Sequence, residues 1–174
     1  TGSVTKLQNS VLTLTGNNTY SGTTTVSAGK LLVNGSTVSG IVNVDAGATL
    51  GGTGTAAGMV NVADGGAIEP GSGGAGALST GKLSLNSGSI LNFDLGTSRD
   101  SIKVTGDLTL DGILNITALE GFGAGEYTLI TYTGSLSVTN YPDLNTVPDG
   151  FEYSFNSGSG KVILTVKLIY TWDV

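Results

Sequence analysis

No cysteine and no histidine occur in the 174 residues. Their absence excludes a Ser-His-Asp triad, a thiolate nucleophile, a disulfide and an ordinary zinc site. Proline is limited to 3 residues, and methionine and tryptophan to 1 each. Charge is sparse: 13 acidic and 7 basic side chains leave a net charge of −6. A chain this poor in Lys and Arg is not built to bind nucleic acid. No apolar run approaches the length of a membrane-spanning helix, so no membrane insertion is expected. No basic start leads into an apolar stretch, and any signal peptide is expected to have been removed.

Small residues take the place of what is missing. There are 29 Gly, 24 Thr, 18 Ser and 12 Asn. The glycines have no three-residue period, which excludes collagen. Hydrophobic residues still make up 39%, too many for a disordered polar chain. The distribution is uneven. Residues 1–98 hold 20 of the 29 glycines and carry a net charge of −1, whereas residues 99–174 carry −5. Nine of the 11 aromatic residues lie after position 120.

The first part repeats. Ile41-Val42-Asn43-Val44-Asp45-Ala46-Gly47-Ala48-Thr49-Leu50 recurs, at an offset of 18, as Met59-Val60-Asn61-Val62-Ala63-Asp64-Gly65-Gly66-Ala67-Ile68. The same offset upstream lands on Thr23 to Leu32. Downstream the gaps widen: Lys82 to Leu91 repeats the pattern, and Asp107 to Gly112 begins it again. Each unit has alternating apolar residues, a polar pair, a glycine, then a second apolar strand. Alternation suits strands with one buried face, and glycine after the polar pair suits a tight corner. One such unit cannot bury its face alone, but stacked units share a core. The expected fold is all-β: a single-domain parallel β-helix (β-solenoid) of roughly eight coils, about 40 Å long at about 4.8 Å per coil. A β-sandwich would want hairpin spacing of about 8–12 residues, and Asn34-Gly35 is the one Asn-Gly hairpin dipeptide.

Leu12-Thr13-Leu14-Thr15-Gly16-Asn17-Asn18-Thr19-Tyr20-Ser21-Gly22-Thr23-Thr24-Thr25-Val26-Ser27-Ala28-Gly29-Lys30-Leu31 resembles the autotransporter-associated β-strand repeat, or passenger-associated transport repeat. The following coils to about Val166, including Gly121 to Ile130, resemble the C-terminal passenger coils of large secreted bacterial proteins. The resemblance implies a right-handed helix at or outside the cell surface, in a region that aids export and folding. It places the β-helix at residues 1–166 and leaves 167–174 as a C-terminal strand extension.

Candidate chemistry is thin. Asp94, Arg99, Asp100, Lys103, Asp107 and Asp111 form the densest charged stretch, and paired carboxylates can act as acid and base. They fall beside Gly96, Gly106 and Gly112, where Asp serves turn geometry, and no aromatic platform lies within 94–121. Gly51-Gly52-Thr53-Gly54-Thr55 has the glycines of a calcium roll, but Ala56 stands where Asp is needed. Gly71 to Gly76 lacks the Lys and following helix of a phosphate loop. No enzymatic activity, cofactor or metal site is expected. Asn43 and Asn61, one coil apart, form an amide ladder if they point inward and a plain polar face if outward; outward is the expectation, because valines flank and alternate with them.

Every even position from Val162 to Val174 is apolar or aromatic. Val162, Leu164, Val166, Leu168, Tyr170 and Trp172 are therefore the candidate subunit or partner interface. Two uses are open: the strand caps its own helix, or it is donated to a neighbour's edge. The expected function is a secreted structural protein whose partner is itself, assembled head-to-tail into an extracellular filament or surface layer. The alternatives are a passenger stalk fragment of an autotransporter-type adhesin, and a carbohydrate-binding or carbohydrate-cleaving module with cell-surface or glycan contact.

Overall fold

A computed structural model describes residues 2–38 and 40–170. Among them are 22 strands and no helix. The strands come in threes, each triplet making one coil. The first coil is β1 (Val4–Lys6), β2 (Val11–Leu14) and β3 (Asn17–Asn18). The second is β4 (Thr24–Val26), β5 (Gly29–Val33) and β6 (Ser36–Thr37). The third is β7 (Val42–Val44), β8 (Ala48–Gly52) and β9 (Thr55–Ala56). The fourth is β10 (Val60–Val62), β11 (Ala67–Pro70) and β12 (Ala77–Thr80). The fifth is β13 (Leu83–Leu85), β14 (Ile90–Leu95) and β15 (Ser101–Val104). The sixth is β16 (Leu108–Leu110), β17 (Ile113–Ala118) and β18 (Gly125–Tyr132). The last holds β19 (Leu136–Val138) and β20 (Asp143–Leu144), followed by the hairpin β21 (Phe151–Gly158) and β22 (Lys161–Leu168).

Corresponding strands pair in parallel, giving two seven-stranded sheets and a third of six strands, which β22 and β21 extend to eight. This is the β-helix that the repeat implied, with seven coils rather than eight. Six steps of about 4.8 Å span about 29 Å. The sequence showed two strands per coil; the third sheet was missed because most of its first strands are only two residues long.

The register explains the pattern. In the first sheet Thr24, Val42 and Val60 align at a constant offset, and Leu83 and Leu108 follow at wider ones. In the second sheet Leu31 aligns with Leu50, one position beyond the constant offset, so one corner holds an extra residue. Inward side chains stack in rows: Val26, Val44, Val62 and Leu85 in the first sheet, and Leu31, Leu50, Ile68, Leu91 and Leu114 in the second. All are 2% exposed or less. Each buried Leu or Ile contributes about 1.5–3 kcal/mol of transfer free energy.

Glycines act in two ways. Gly29, Gly47 and Gly65, between the first and second sheets, have φ of 70°, 77° and 74°, a conformation that penalises a Cβ. At the corner from third sheet to first, the reason is close approach: a Cβ on Gly40 would collide with the Gly22 carbonyl oxygen. Gly2, Gly22, Gly40, Gly58, Gly81, Gly106 and Gly134 occur once per coil along this corner. The longer coils place much of their extra length at the opposite turn, between second and third sheets, in residues 71–76, 96–100 and 119–124.

The coils do not continue to Val166. β22 runs antiparallel to β18, and β21 antiparallel to β22. The reversal is a two-residue turn at Ser159 and Gly160, both with positive φ (50° and 76°), which matches the twist of a hairpin. Asn34-Gly35, the dipeptide that suggested a hairpin, sits instead at a coil corner between parallel strands. Aromatic residues gather along the hairpin: Phe122 stacks on Tyr127 and meets Phe151 edge-on, and Tyr141 stacks on Phe155.

Candidate functional site

The six C-terminal candidates separate into three groups. Val162, Leu164 and Val166 are 1%, 0% and 1% exposed, inside the protein's own core. Their strand is held on both sides within the chain, so these three side chains line no surface. Leu168 and Tyr170 are exposed at 48% and 77%. Trp172 lies outside the described residues. β22 extends unbroken to Leu168, without the boundary at 166.

The charged stretch performs turn chemistry. The Asp100 carboxylate, 1% exposed, accepts the backbone N–H of Gly76 at 2.7 Å and of Asp94 at 2.8 Å. It ties the 71–76 loop to the next coil. Burial pushes its pKa up to about 6, against the lowering effect of those two bonds. Asp107 pairs with Lys82 at 2.7 Å and accepts the Ser135 N–H; the lysine holds its carboxyl below the usual range. Asp111 accepts the N–H of Gly112. Arg99 lies over the Tyr127 ring, 5.8 Å from its centre. Asp94 lies in β14 and Lys103 in β15, with Arg99 and Asp100 in the turn between them, and Asp107 and Asp111 stand at the two following corners; Asp100, Asp107 and Asp111 are each engaged by backbone N–H groups. Among the described residues no cluster of metal-ligating side chains forms.

The polar outward rows are the more distinctive arrangement. Thr5, Thr25, Asn43, Asn61, Ser84, Thr109 and Ser137 align through seven successive strands of the first sheet. Asn43 and Asn61 point outward, as expected, yet also form a ladder: the Asn61 amide donates to the Asn43 carbonyl at 3.0 Å. Outward and laddered are compatible, because in-register parallel strands bring like side chains about 4.8 Å apart on either face. A second ladder escaped the sequence reading. Asn115 donates to Asn92 at 2.9 Å and accepts from Asn145 at 3.0 Å. Its two spacings, 23 and 30, differ from each other, so no fixed offset reveals it.

The middle of the first row, Thr25 to Ser84, lies in a shallow groove of about 390 Å³, whose polar lining is Thr25, Asn43, Asp45, Asn61, Ser84 and Asn86. One carboxylate, Asp45, is present, and it accepts a hydrogen bond from Ser27. A second recess by Thr97, Ser98, Leu119 and Glu120 lies at the corner that holds the extra residues.

Residues 4–33 match the passenger-associated-transport repeat, from β1 to the end of β5. The chain is also similar to the adhesin BmaC autotransporter of Brucella suis biovar 1 (strain 1330), with 46% identity over 109 residues, covering 57% of this chain and 3% of that protein. The match is therefore to a small piece of a very long protein. Both matches are to autotransporter sequence, and neither supports a filament subunit.

Proposed function

We propose that this chain is a stalk segment of the passenger of an autotransporter-type adhesin, standing at or outside the cell surface and serving structurally rather than as an enzyme. The observation that carries this reading is the stacking itself: the repeat at residues 4–33 is not a separate module but the first coils of one continuous parallel ladder. Parallel rungs spread load over every coil, and because interior strands are paired on both sides, unpaired strand edges are confined to the two ends of the stack. Export fits the composition. A chain with no cysteine cannot be trapped by disulfides before it leaves the cell, and stacking coil on coil lets folding propagate from whichever end emerges.

The test is to place the chain between a secretion signal and a translocator barrel in a Gram-negative host. Surface labelling should find it outside the cell and resistant to added protease. A Gly40→Val variant, whose side chain collides with the coil below, should lose protease resistance. Retention of the wild-type chain inside the cell while the barrel inserts normally would overturn the reading.

A further inference from the structure

The groove on the first sheet has a chemistry that a stalk does not need. Its lining is uncharged apart from Asp45, a single carboxylate already engaged by Ser27, so it offers nothing to a polyanion and, among the described residues, no ligand cluster to a metal cation. It is too polar for a lipid or an apolar helix. What it presents is a mixture of donors and acceptors. With the Asn43 oxygen and one Asn61 N–H engaged, the Asn43 NH₂ and the Asn61 carbonyl oxygen are left without a hydrogen-bond partner among the described residues. Among the described residues, Thr25, Ser84 and Asn86 make no side-chain bond that would occupy theirs. A donor and an acceptor thus stand one coil apart, flanked by hydroxyls on the coil below and the coil above.

A group that both accepts and donates a hydrogen bond satisfies such a pair, and the hydroxyl is that group. Sugars in an extended chain place hydroxyls along one edge at intervals close to the coil rise of about 4.8 Å. We propose that the groove lined by Thr25, Asn43, Asn61, Ser84 and Asn86 binds a neutral, extended oligosaccharide lying along the rod axis. One sugar hydroxyl accepts from the Asn43 NH₂ and another donates to the Asn61 carbonyl. Thr25 and Ser84 engage the neighbouring sugars. No aromatic platform lines the groove, so stacking adds nothing and binding is weak for each sugar. Affinity accumulates with the number of coils engaged.

The inference stands apart from the stalk reading, since a free-standing rod could carry the same groove. Its test is calorimetric titration of the full chain with cellohexaose and with chitohexaose, and with the corresponding disaccharides. The expected result is millimolar or tighter binding of at least one hexasaccharide, with the disaccharide at least tenfold weaker. The double variant Asn43→Ala/Asn61→Ala should weaken binding tenfold or more. The pair on the second sheet, Asn92→Ala/Asn115→Ala, lies outside the groove and breaks a ladder bond as well as the bonds from Asn145 and Thr146, yet should bind as the parent does. Ser84→Lys, an outward change that leaves the core untouched, should block the groove while preserving the melting temperature. No heat from either hexasaccharide, or equal effects of the two double variants, would overturn the proposal.

Discussion

The Asp100 carboxylate reaches back to the preceding coil to accept the Gly76 N–H at 2.7 Å. Through it, a buried acid in one coil holds the end of a glycine-rich loop in the coil before. The arrangement has a pH signature. Burial raises the Asp100 pKa from 3.8 to about 6, so between these values the folded chain holds a proton that the unfolded chain has released. Stability is then greatest at the acid end of this window and falls as pH rises through about 6. The full span is about 3 kcal/mol. Urea unfolding at pH 4.5 and at pH 7 should show the acid sample more stable, and Asp100→Asn should flatten the difference. Asp107 acts oppositely, but its stabilisation is lost only below the ordinary carboxylate range.

Removing the middle of the longer ladder isolates an amide bond. Asn115→Ala breaks its bonds to Asn92 and Asn145 and leaves the Thr146 N–H without its acceptor. A loss of about 1–2 kcal/mol is expected on chemical denaturation. Asn115→Asp should keep the bonds from Asn145 and Thr146 and recover part of it.

The corner glycines differ in what they tolerate. Gly40→Ala drives a methyl into the Gly22 carbonyl oxygen, and should cost about 2–4 kcal/mol. Gly74→Ala, in the 71–76 loop with open space around its Cβ position, should change stability by less than about 0.5 kcal/mol. Thermal melts of the two variants give the comparison.

The C-terminal strand can be tested for what it supports. Leu164 is fully buried and Leu168 is half exposed. Leu164→Ala should destabilise the whole chain by about 2–5 kcal/mol, with one unfolding transition. Leu168→Ala should stay within about 0.5 kcal/mol. If Leu164→Ala melts separately from the coils, the hairpin is an independent unit.

The fold was legible wherever one residue type recurs at one offset. Val42-Asn43-Val44 and Val60-Asn61-Val62 share a length and a corner, so their alignment in the sequence is their alignment in space. Legibility ended at three places, each for a physical reason. Two-residue strands such as Ser36–Thr37 carry too few side chains to alternate visibly. The reversal at Ser159-Gly160 uses a dipeptide that is common elsewhere in the chain as a corner. The even-numbered apolar run from Val162 reads alike whether its face meets its own core or a partner; its strand is placed on the core by pairing with β18, which lies far upstream in sequence. The polar groove was half legible, since the sequence located Asn43 and Asn61 but could not show that they bond while facing out.

The corner glycines and the looped corner opposite them divide the rod lengthwise. Along one edge Gly22, Gly40, Gly81 and Gly134 rest against the backbone of the coil before without room for a Cβ. Along the other, 71–76, 96–100 and 119–124 vary in length while the rungs stay in register. Mutation therefore meets a rod with a conservative spine and a permissive fringe. New peptide sequence can be grafted onto the fringe, near Ser72 to Gly74, without altering coil pitch, whereas whole coils are the smallest unit that can be gained or lost along the spine.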